Sequence, residues 1–354
     1  MLNRHCILKL FYILAHVTII FHCYCRVVIR FGNVTTLWHG ITDTIPRISA
    51  LEQSQRDPDI LLAAAEHALI TFNKTTGEKA ILAGNPYQSG YVEGIGIAAR
   101  FDHITGIVHL KGKYILSDEK NRLLRSIDYI SNQTGIFAGS PHIRASTDGT
   151  LAKARFALPL GIVKDTTNSD SPIYVIDDVI LRKIQFGFVT TLPNSHSGRL
   201  YSSNYNNGYF SLTIGPAGDP YVGTGHVIAR YSEEDEGGFV EMIGINNGKV
   251  NCDSCSFASV KFEVVQSLRF ITPDHLLIGE LGGQLQLLNM TAKTVSQLLD
   301  PDRRSQTTTR HAGHYRRFQI ATVQSIFVDS SYIFIGDQSS QGHGVIRQME
   351  YKLG

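Results

Sequence analysis

Two cysteines, Cys252 and Cys255, have the spacing that could most directly support covalent or metal chemistry. The Cys-x-x-Cys spacing occurs in thiol redox motifs and in one half of a Cys₄ zinc site. No βαβ pattern surrounds the pair, and only three other cysteines exist, all within the first 25 residues. In an oxidising compartment two such cysteines tend to bond to each other. We therefore expect a disulfide that staples a local loop.

The strongest cluster of positive charge is the segment 301–318. Its five arginines are Arg303, Arg304, Arg310, Arg316 and Arg317. Clustered guanidinium groups suit bidentate recognition of anions, so this loop could bind sulfated glycans or acidic proteins. Two alternatives stay open, a solvated loop and a site of cleavage after the paired arginines, because charge runs usually face solvent.

Other polar motifs are less informative. His311 and His314 could begin a metal site, but such a site needs three or four supported ligands. His226 is a single histidine, and these are more often structural. The acidic run 233–236 lacks the ligand spacing of an EF-hand loop and is expected at a hairpin tip. The sequence contains no nucleophile elbow, P-loop or Rossmann fingerprint.

The first 25 residues have the layout of a secretory signal peptide. Arg4 and Lys9 precede an apolar run from Leu10 to Phe21, which is shorter than the roughly 20 residues that span a bilayer. We expect cleavage and secretion, with an uncleaved membrane anchor as the alternative. Four acceptor sequons agree with passage through the secretory pathway, and they begin at Asn33, Asn73, Asn132 and Asn289.

Composition restricts the possible partners. The 354 residues are 43% hydrophobic and 18% charged, which is typical of a folded globular protein. The formal net charge is only +2, so the molecule as a whole has no strong field toward nucleic acid. A nucleic-acid partner is disfavoured, and a membrane partner requires that the N-terminal segment is retained.

A repeat of four short strands runs along residues 26–354. Its clearest copy extends from Ala99 to Gly139, and a shorter one lies between Ala154 and Leu192. The predicted ends of the second strands are Ala64, Asp118, Asp177, Thr224, Glu280 and Asp337. Successive ends lie 54, 59, 47, 56 and 57 residues apart. Four strands per unit make a propeller blade, so we predict an all-β, six-bladed, single-domain β-propeller.

The two ends of the chain predict how the ring closes. The last repeat stops one strand short, whereas the segment Gly32 to Gly40 resembles a fourth strand ending at Leu192. We expect that segment to pair with the last blade. Such closure removes the edges that an open sheet would expose.

Two linkers carry a more specific pattern of Ala-Gly, an acidic-Gly pair, then Ala-Arg-Phe and Gly-Ile. The first linker has Ala83-Gly84, Glu93-Gly94, Ala99-Arg100-Phe101 and Gly106-Ile107; the second has Ala138-Gly139, Asp148-Gly149, Ala154-Arg155-Phe156 and Gly161-Ile162. The pattern resembles the NHL-repeat family. In that family, a strand ending in Asp is followed by Asn-Arg and another Arg. Asp118, Asn121, Arg122 and Arg125 match it, and the resemblance implies that they form a turn whose bonds hold adjacent strands.

The resemblance implies two functional classes. The first is an extracellular module or scaffold that binds a protein or a glycan and needs no cofactor. The alternative is a secreted propeller lyase or lactone hydrolase with calcium or zinc in its central channel. Its candidate ligands are Asp118, Asp177, Glu280 and Asp337. Convergence of these carboxylates would favour the enzyme, whereas pairing with arginines of the blades would favour the binding module.

Overall fold

The computed structural model describes residues 29–39, 46–195, 210–234, 237–244, 255–299, 320, 322–338 and 343–353. The signal segment 1–25, Cys252 and the basic segment 301–318, with its arginines and two histidines, lie outside these residues. Within the described ranges, no helix is long and apolar enough to cross a membrane.

The strands form six antiparallel sheets, which follow one another along the chain as blades 1 to 6. Strand β1 (Ile29–His39) precedes blade 1. Blade 1 contains β2 (Ile48–Gln53), β3 (Ile60–Ala65), β4 (Ala68–Asn73) and β5 (Lys79–Gly84). A 3₁₀ turn follows at Gly96–Ala98. Blade 2 contains β6 (Ile104–Leu110), β7 (Lys113–Asp118), β8 (Leu123–Asp128) and β9 (Thr134–Gly139).

The next two blades repeat this order. Blade 3 contains β10 (Gly149–Thr150), β11 (Pro159–Lys164), β12 (Ile173–Asp177), β13 (Ile180–Gln185) and β14 (Phe188–Thr191). Blade 4 contains β15 (Phe210–Ile214), β16 (Pro220–Thr224), β17 (Val227–Ser232) and β18 (Gly238–Ile243). Short β10 belongs to the preceding linker and pairs with the outer strand β14.

The last two blades complete the ring. Blade 5 contains β19 (Cys255–Ser256), β20 (Val265–Thr272), β21 (His275–Glu280), β22 (Leu285–Asn289) and β23 (Thr294–Leu299). Blade 6 contains β24 (Val323–Val328), β25 (Tyr332–Gln338) and β26 (Gly344–Leu353). The predicted six-bladed, all-β propeller is confirmed, and every predicted second-strand end lies in the second strand of its blade.

Strand β1 supplies the fourth strand of blade 6, as predicted. It pairs antiparallel with β26, so that Val34 lies opposite Met349 and Thr36 opposite Arg347. Val34 and Met349 are both buried and share a cluster with Val323 of the inner strand. The first described strand therefore closes the sheet made by the last three.

A separate hydrophobic cluster fills each gap between neighbouring blades. Phe72 of blade 1 packs in a cluster with Phe334 of blade 6, and Leu62 of blade 1 packs with Tyr114 of blade 2. The other four gaps are filled in the same way. Both faces of each blade are covered by neighbouring blades. The strand sequences are therefore nearly continuous apolar runs and do not alternate between apolar and polar residues.

Local turn chemistry sets the register of several hairpins. Lys111-Gly112 joins β6 to β7, and Phe186-Gly187 joins β13 to β14; all four residues have positive φ. Two-residue loops of this kind match the right-handed twist of the flanking strands.

Glycines at the ends of outer strands contact phenylalanines of the following linkers. The pairs are Gly84 with Phe101, Gly139 with Phe156 and Gly244 with Phe262. At Gly84, where φ is +87°, a Cβ would lie 2.4 Å from the carbonyl oxygen of His67 and 2.9 Å from the Phe101 ring. This contact explains the Ala-Gly and Ala-Arg-Phe pattern. The structure also identifies a third copy that sequence analysis missed, Val260-Lys261-Phe262, in which Val260 and Phe262 are fully buried.

Candidate functional site

Asp118, at the end of β7, is fully buried and bonded within its own blade. It accepts hydrogen bonds from the backbone N–H of Asp102 at 2.7 Å and from the side-chain amide of Asn121. Arg125 on β8, also fully buried, donates to it at 3.3 Å. The same guanidinium donates to the carbonyls of Val92 and Arg100. Asp118 and Arg125 thus hold the linker that leads into blade 2.

Asp177 repeats this arrangement in blade 3. Its Oδ1 accepts the backbone N–H groups of Ala157 and Leu158, both at 2.8 Å. Its Oδ2 accepts hydrogen bonds from Ser146 and from Arg182 Nη1, again at 2.8 Å. This carboxylate has four donors around it.

Glu280 and Asp337 occupy the matching places in blades 5 and 6. Glu280 accepts a hydrogen bond from the backbone N–H of Glu263 and one from the side chain of Gln286. Asp337 accepts the backbone N–H of Thr322 at 3.0 Å and pairs with Arg347 Nε at 2.8 Å. In each blade the acid therefore binds the loop that enters the inner strand. We call the four arrangements the blade clamps.

The strand register explains where the clamp partners come from. In blade 3, Arg182 on the third strand lies opposite Val175, two residues before Asp177. With the same register, the positions in blade 1 that correspond to Asp177 and Arg182 are Ala65 and Ile70. Ala65 is thus the position equivalent to Asp177, one residue beyond the predicted mark at Ala64. In blade 4 the equivalent positions are Thr224 and Ala229, so neither blade 1 nor blade 4 can form the clamp ion pair at these positions.

Burial raises the pKa of all four clamp carboxyls. It raises the pKa of Asp118 to about 6, although Asn121 and Arg125 oppose the shift. For Glu280, whose partner is a neutral glutamine, burial raises the pKa to about 7. The arginine or glutamine that bonds to each acid offsets part of the free-energy cost of burying it.

The four candidate metal ligands are not brought together. Each one lies in a different blade and is surrounded by donors of that blade. Within the described part of the chain, no group of three or more histidine, cysteine, aspartate or glutamate side chains could hold a metal ion.

The central channel forms a cavity of about 280 Å³, lined by the inner strands of all six blades. Hydroxyl side chains join these strands near one end of the channel. Ser49 donates to the carbonyl of Ile104, and Ser267 donates to that of Val323 at 3.2 Å. Each bond connects one inner strand to the inner strand of the next blade, so this end of the channel is held by side chains.

Several buried polar atoms along the cavity have no hydrogen-bond partner among the residues that the structure describes. They are Ser211 Oγ, Gln266 Oε1 and Gln324 Oε1. Ser211 is 6% exposed and Gln266 is 8% exposed. Buried polar atoms in proteins are nearly always satisfied by protein, water or a ligand. The cavity is therefore polar enough to hold a polar molecule.

Charged side chains from four blades line the same cavity near the C-terminal ends of the inner strands. They are Glu52 of blade 1, His109 of blade 2, Lys164 of blade 3 and Arg269 of blade 5, and we call them the charged end of the channel. Among the described residues Glu52 accepts one hydrogen bond, from the backbone N–H of Gln53, and Arg269 stacks on Phe327 at 5.4 Å. No side chain in the described ranges forms an ion pair with any of the four.

The charged end is electrostatically coupled across the channel. Burial raises the pKa of Glu52, and the positive charges of Arg269 and Lys164 oppose that rise. Burial lowers the pKa of Lys164 and of His109, and Lys164 lowers the pKa of His109 further. The charged end therefore brings two basic side chains, one acidic side chain and one histidine around one cavity. No motif in the sequence marks these residues, because each comes from a different repeat.

The remaining predicted site residues lie elsewhere. His226 Nδ1 lies 2.7 Å from the carbonyl oxygen of Phe262, within the blade 4 to blade 5 linker. Cys255 begins β19, and its pairing with Cys252 stays a prediction. Arg122 is partly buried in the turn between β7 and β8 and has a φ of +61°.

Three of the four glycosylation candidates lie at or next to the turn between the third and fourth strands of a blade. Asn73 and Asn289 end the third strands of blades 1 and 5, and Asn132 lies in the corresponding turn of blade 2. Asn33 lies within β1, where its side chain is outside the described set.

No protein-family model matches the chain, and no curated protein matches it significantly. Solved structures do resemble it in fold. An auxiliary nutrient binding protein from Bacteroides thetaiotaomicron has a TM-score of 0.62 and 9% identity, covering 92% of this chain and 76% of that one. A second auxiliary nutrient binding protein, from Bacteroides ovatus, has a TM-score of 0.60 and 10% identity, covering 92% and 77%.

A third similar structure is the extracellular domain of a putative hybrid two component system from B. thetaiotaomicron. Its TM-score is 0.51 at 14% identity, and the match covers 88% of this chain but only 34% of that one. At these identities the likeness establishes the propeller fold alone. The NHL assignment has no support from a family model, and the fold it implied is confirmed.

Proposed function

We propose that the protein is an extracellular binding module that takes a polar ligand at its central channel. The observation that carries the proposal is the charged end of the channel: Glu52, Lys164 and Arg269 line one cavity, and none of them forms an ion pair with another described residue. These three side chains are only partly buried, and charged groups that converge on a cavity are available to bind a polar ligand.

Two further features support binding over catalysis. The carboxylates that a channel metal would need are engaged in the blade clamps, so within the described ranges the alternative of a metal-dependent lyase or lactone hydrolase has no assembled ligand set. The nutrient-binding names of two similar folds agree with a binding role by analogy. The partner we propose is an extracellular glycan or protein, and the segment 301–318 would add an anion-binding surface.

Secretion from eukaryotic cells, followed by probing of arrayed glycans and receptor ectodomains, tests the proposal. Wild type should bind specific arrayed ligands, and an Arg269→Gln variant should lose part of that binding. The matched control is Arg144→Gln, because Arg144 lies outside the channel with a side chain that is 63% exposed. A protein that stays in the cell, or that binds nothing arrayed, would overturn the proposal.

A further inference from the structure

The charged end of the channel has a charge pattern that restricts its ligand. The charged end has two basic side chains, Lys164 and Arg269, and one acidic side chain, Glu52. The site therefore has an excess of one basic side chain. A ligand with a single negative charge would complete it, whereas a cation would be repelled.

Arginine and lysine together favour a carboxylate. A guanidinium offers two parallel N–H donors to the two oxygens of a carboxylate, and an ammonium adds a third donor. The stacking of Arg269 on Phe327 holds the guanidinium without using its hydrogen-bond donors. Both cations thus keep their donors for a ligand.

The acceptors in the cavity favour hydroxyl groups on the same ligand. Glu52 can accept hydrogen bonds, and the unpartnered oxygens Gln266 Oε1 and Gln324 Oε1 are acceptors further along the channel. An oxygen that accepts must meet a donor, and several neutral donors on one small molecule are most simply the hydroxyls of a sugar. Ser211 Oγ can either donate or accept.

Size restricts the ligand further. The cavity of about 280 Å³ is close to the lower end of typical ligand pockets, which span roughly 300–1,000 Å³. It suits one sugar ring, not an extended oligosaccharide lying inside the channel.

We infer that the channel binds the carboxylate of an acidic monosaccharide, a uronic acid or a similar sugar acid, free or at the end of a glycan. Lys164 and Arg269 bind the carboxylate, and Glu52 with the channel glutamines accepts hydrogen bonds from the ring hydroxyls. This inference rests on the proposed function and specifies the chemistry of its ligand.

Three sugars with the same ring test the assignment by calorimetric titration of the secreted protein: D-glucuronate, D-glucose and D-glucosamine. Glucuronate should bind at least about tenfold more tightly than glucose, because only glucuronate offers a carboxylate to the two cations. Glucosamine, which is cationic, should bind most weakly. Lys164→Gln and Arg269→Gln should each weaken glucuronate binding about tenfold or more and weaken glucose binding much less, while Arg144→Gln should change neither.

The outcomes separate this inference from the proposed function. Glucose or glucosamine binding as tightly as glucuronate would overturn the sugar-acid assignment and leave the binding module intact. So would glucuronate binding that neither Lys164→Gln nor Arg269→Gln affects, provided that each variant unfolds at the wild-type denaturant midpoint. If none of the three sugars binds, the inference is wrong, and blank glycan and ectodomain arrays would then overturn the proposed function as well.

Discussion

Arg182 Nη1 lies 2.8 Å from Asp177 Oδ2, and both side chains are completely buried. The same guanidinium stacks on Phe156 at 5.3 Å and donates to the carbonyls of Thr147 and Arg155. The pair therefore connects two strands of blade 3 to the linker that precedes it. Asp177, a candidate metal ligand in the sequence, instead binds the linker and a neighbouring strand of its own blade.

Removing one member of this pair should be costly. Arg182→Leu leaves the Asp177 carboxylate buried without its counter-ion, and we expect the free energy of unfolding to fall by roughly 3–5 kcal/mol. Urea unfolding followed by fluorescence measures the change. Arg144→Leu, which removes an exposed ion pair with Asp178, should cost less than about 1 kcal/mol. Equal losses in the two variants would show that the clamp has no special role.

Substitution of Gly84 should show how closely the linker after blade 1 packs against its outer strand. Both Gly84 and Gly112 have positive φ, but a Cβ on Gly112 would meet nothing within 4 Å. Gly112→Ala should therefore cost only the backbone strain of about 1–2 kcal/mol. Gly84→Ala should cost about 2 kcal/mol more, because its Cβ would collide with the His67 carbonyl and the Phe101 ring. Thermal and urea unfolding of the two variants compare them directly, and similar losses would contradict the proposed contact.

Glu280 should make stability depend on pH. Its pKa rises from 4.5 to about 7 on folding, through burial and the nearby Glu263. Between these values the folded protein binds more protons than the unfolded chain, so the free energy of unfolding should fall as pH increases from about 4.5 to about 7 and then level off. The contribution of this one group is at most roughly 3 kcal/mol.

Urea midpoints at pH 5 and pH 8 measure this effect as a difference between variants. Glu280→Gln should show a smaller loss between the two pH values than wild type. Glu78→Gln, at an exposed turn, should behave like wild type. An unchanged slope in Glu280→Gln would contradict the raised pKa.

The sequons should differ in occupancy. Asn73 uses its Oδ1 to accept the backbone N–H groups of Thr75 and Thr76, which leaves its Nδ2 without a bond among the described residues. At Asn289 the Nδ2 lies 3.3 Å from His275 Nε2. We expect glycan at Asn73 with higher occupancy than at Asn289. Peptide mapping after enzymatic deglycosylation measures both, and a glycan at Asn289 alone would contradict the expectation.

The features that could be predicted from the sequence are those whose residue type recurs in each blade. The acids at the ends of second strands, the glycines before the linkers and the strand that closes the ring all follow from local patterns. In blade 1 the predicted end of the second strand was Ala64, whereas the equivalent position is Ala65. The strand there is a continuous apolar run, so no acidic residue marks its end. The third linker was missed because Val260 and Lys261 replace the alanine and arginine of the other copies; the Phe262 that follows a basic residue was the only remaining signal.

The charged end of the channel could not be predicted in this way. Glu52, His109, Lys164 and Arg269 belong to four different repeats and match no common motif. They meet only because the inner strands surround one axis. A search for charged residues near the ends of inner strands could have found them once the strands were aligned by blade.

The most direct test of the central claim is the metal content of the protein purified from culture medium, measured together with its intact mass. If the clamp carboxylates on the second strands hold the blades together and the protein is a binding module, the product should be glycosylated, lack residues 1–25 and contain far less than one equivalent of metal. Stoichiometric zinc or calcium that survives dialysis would contradict the account and favour a metal-dependent propeller enzyme.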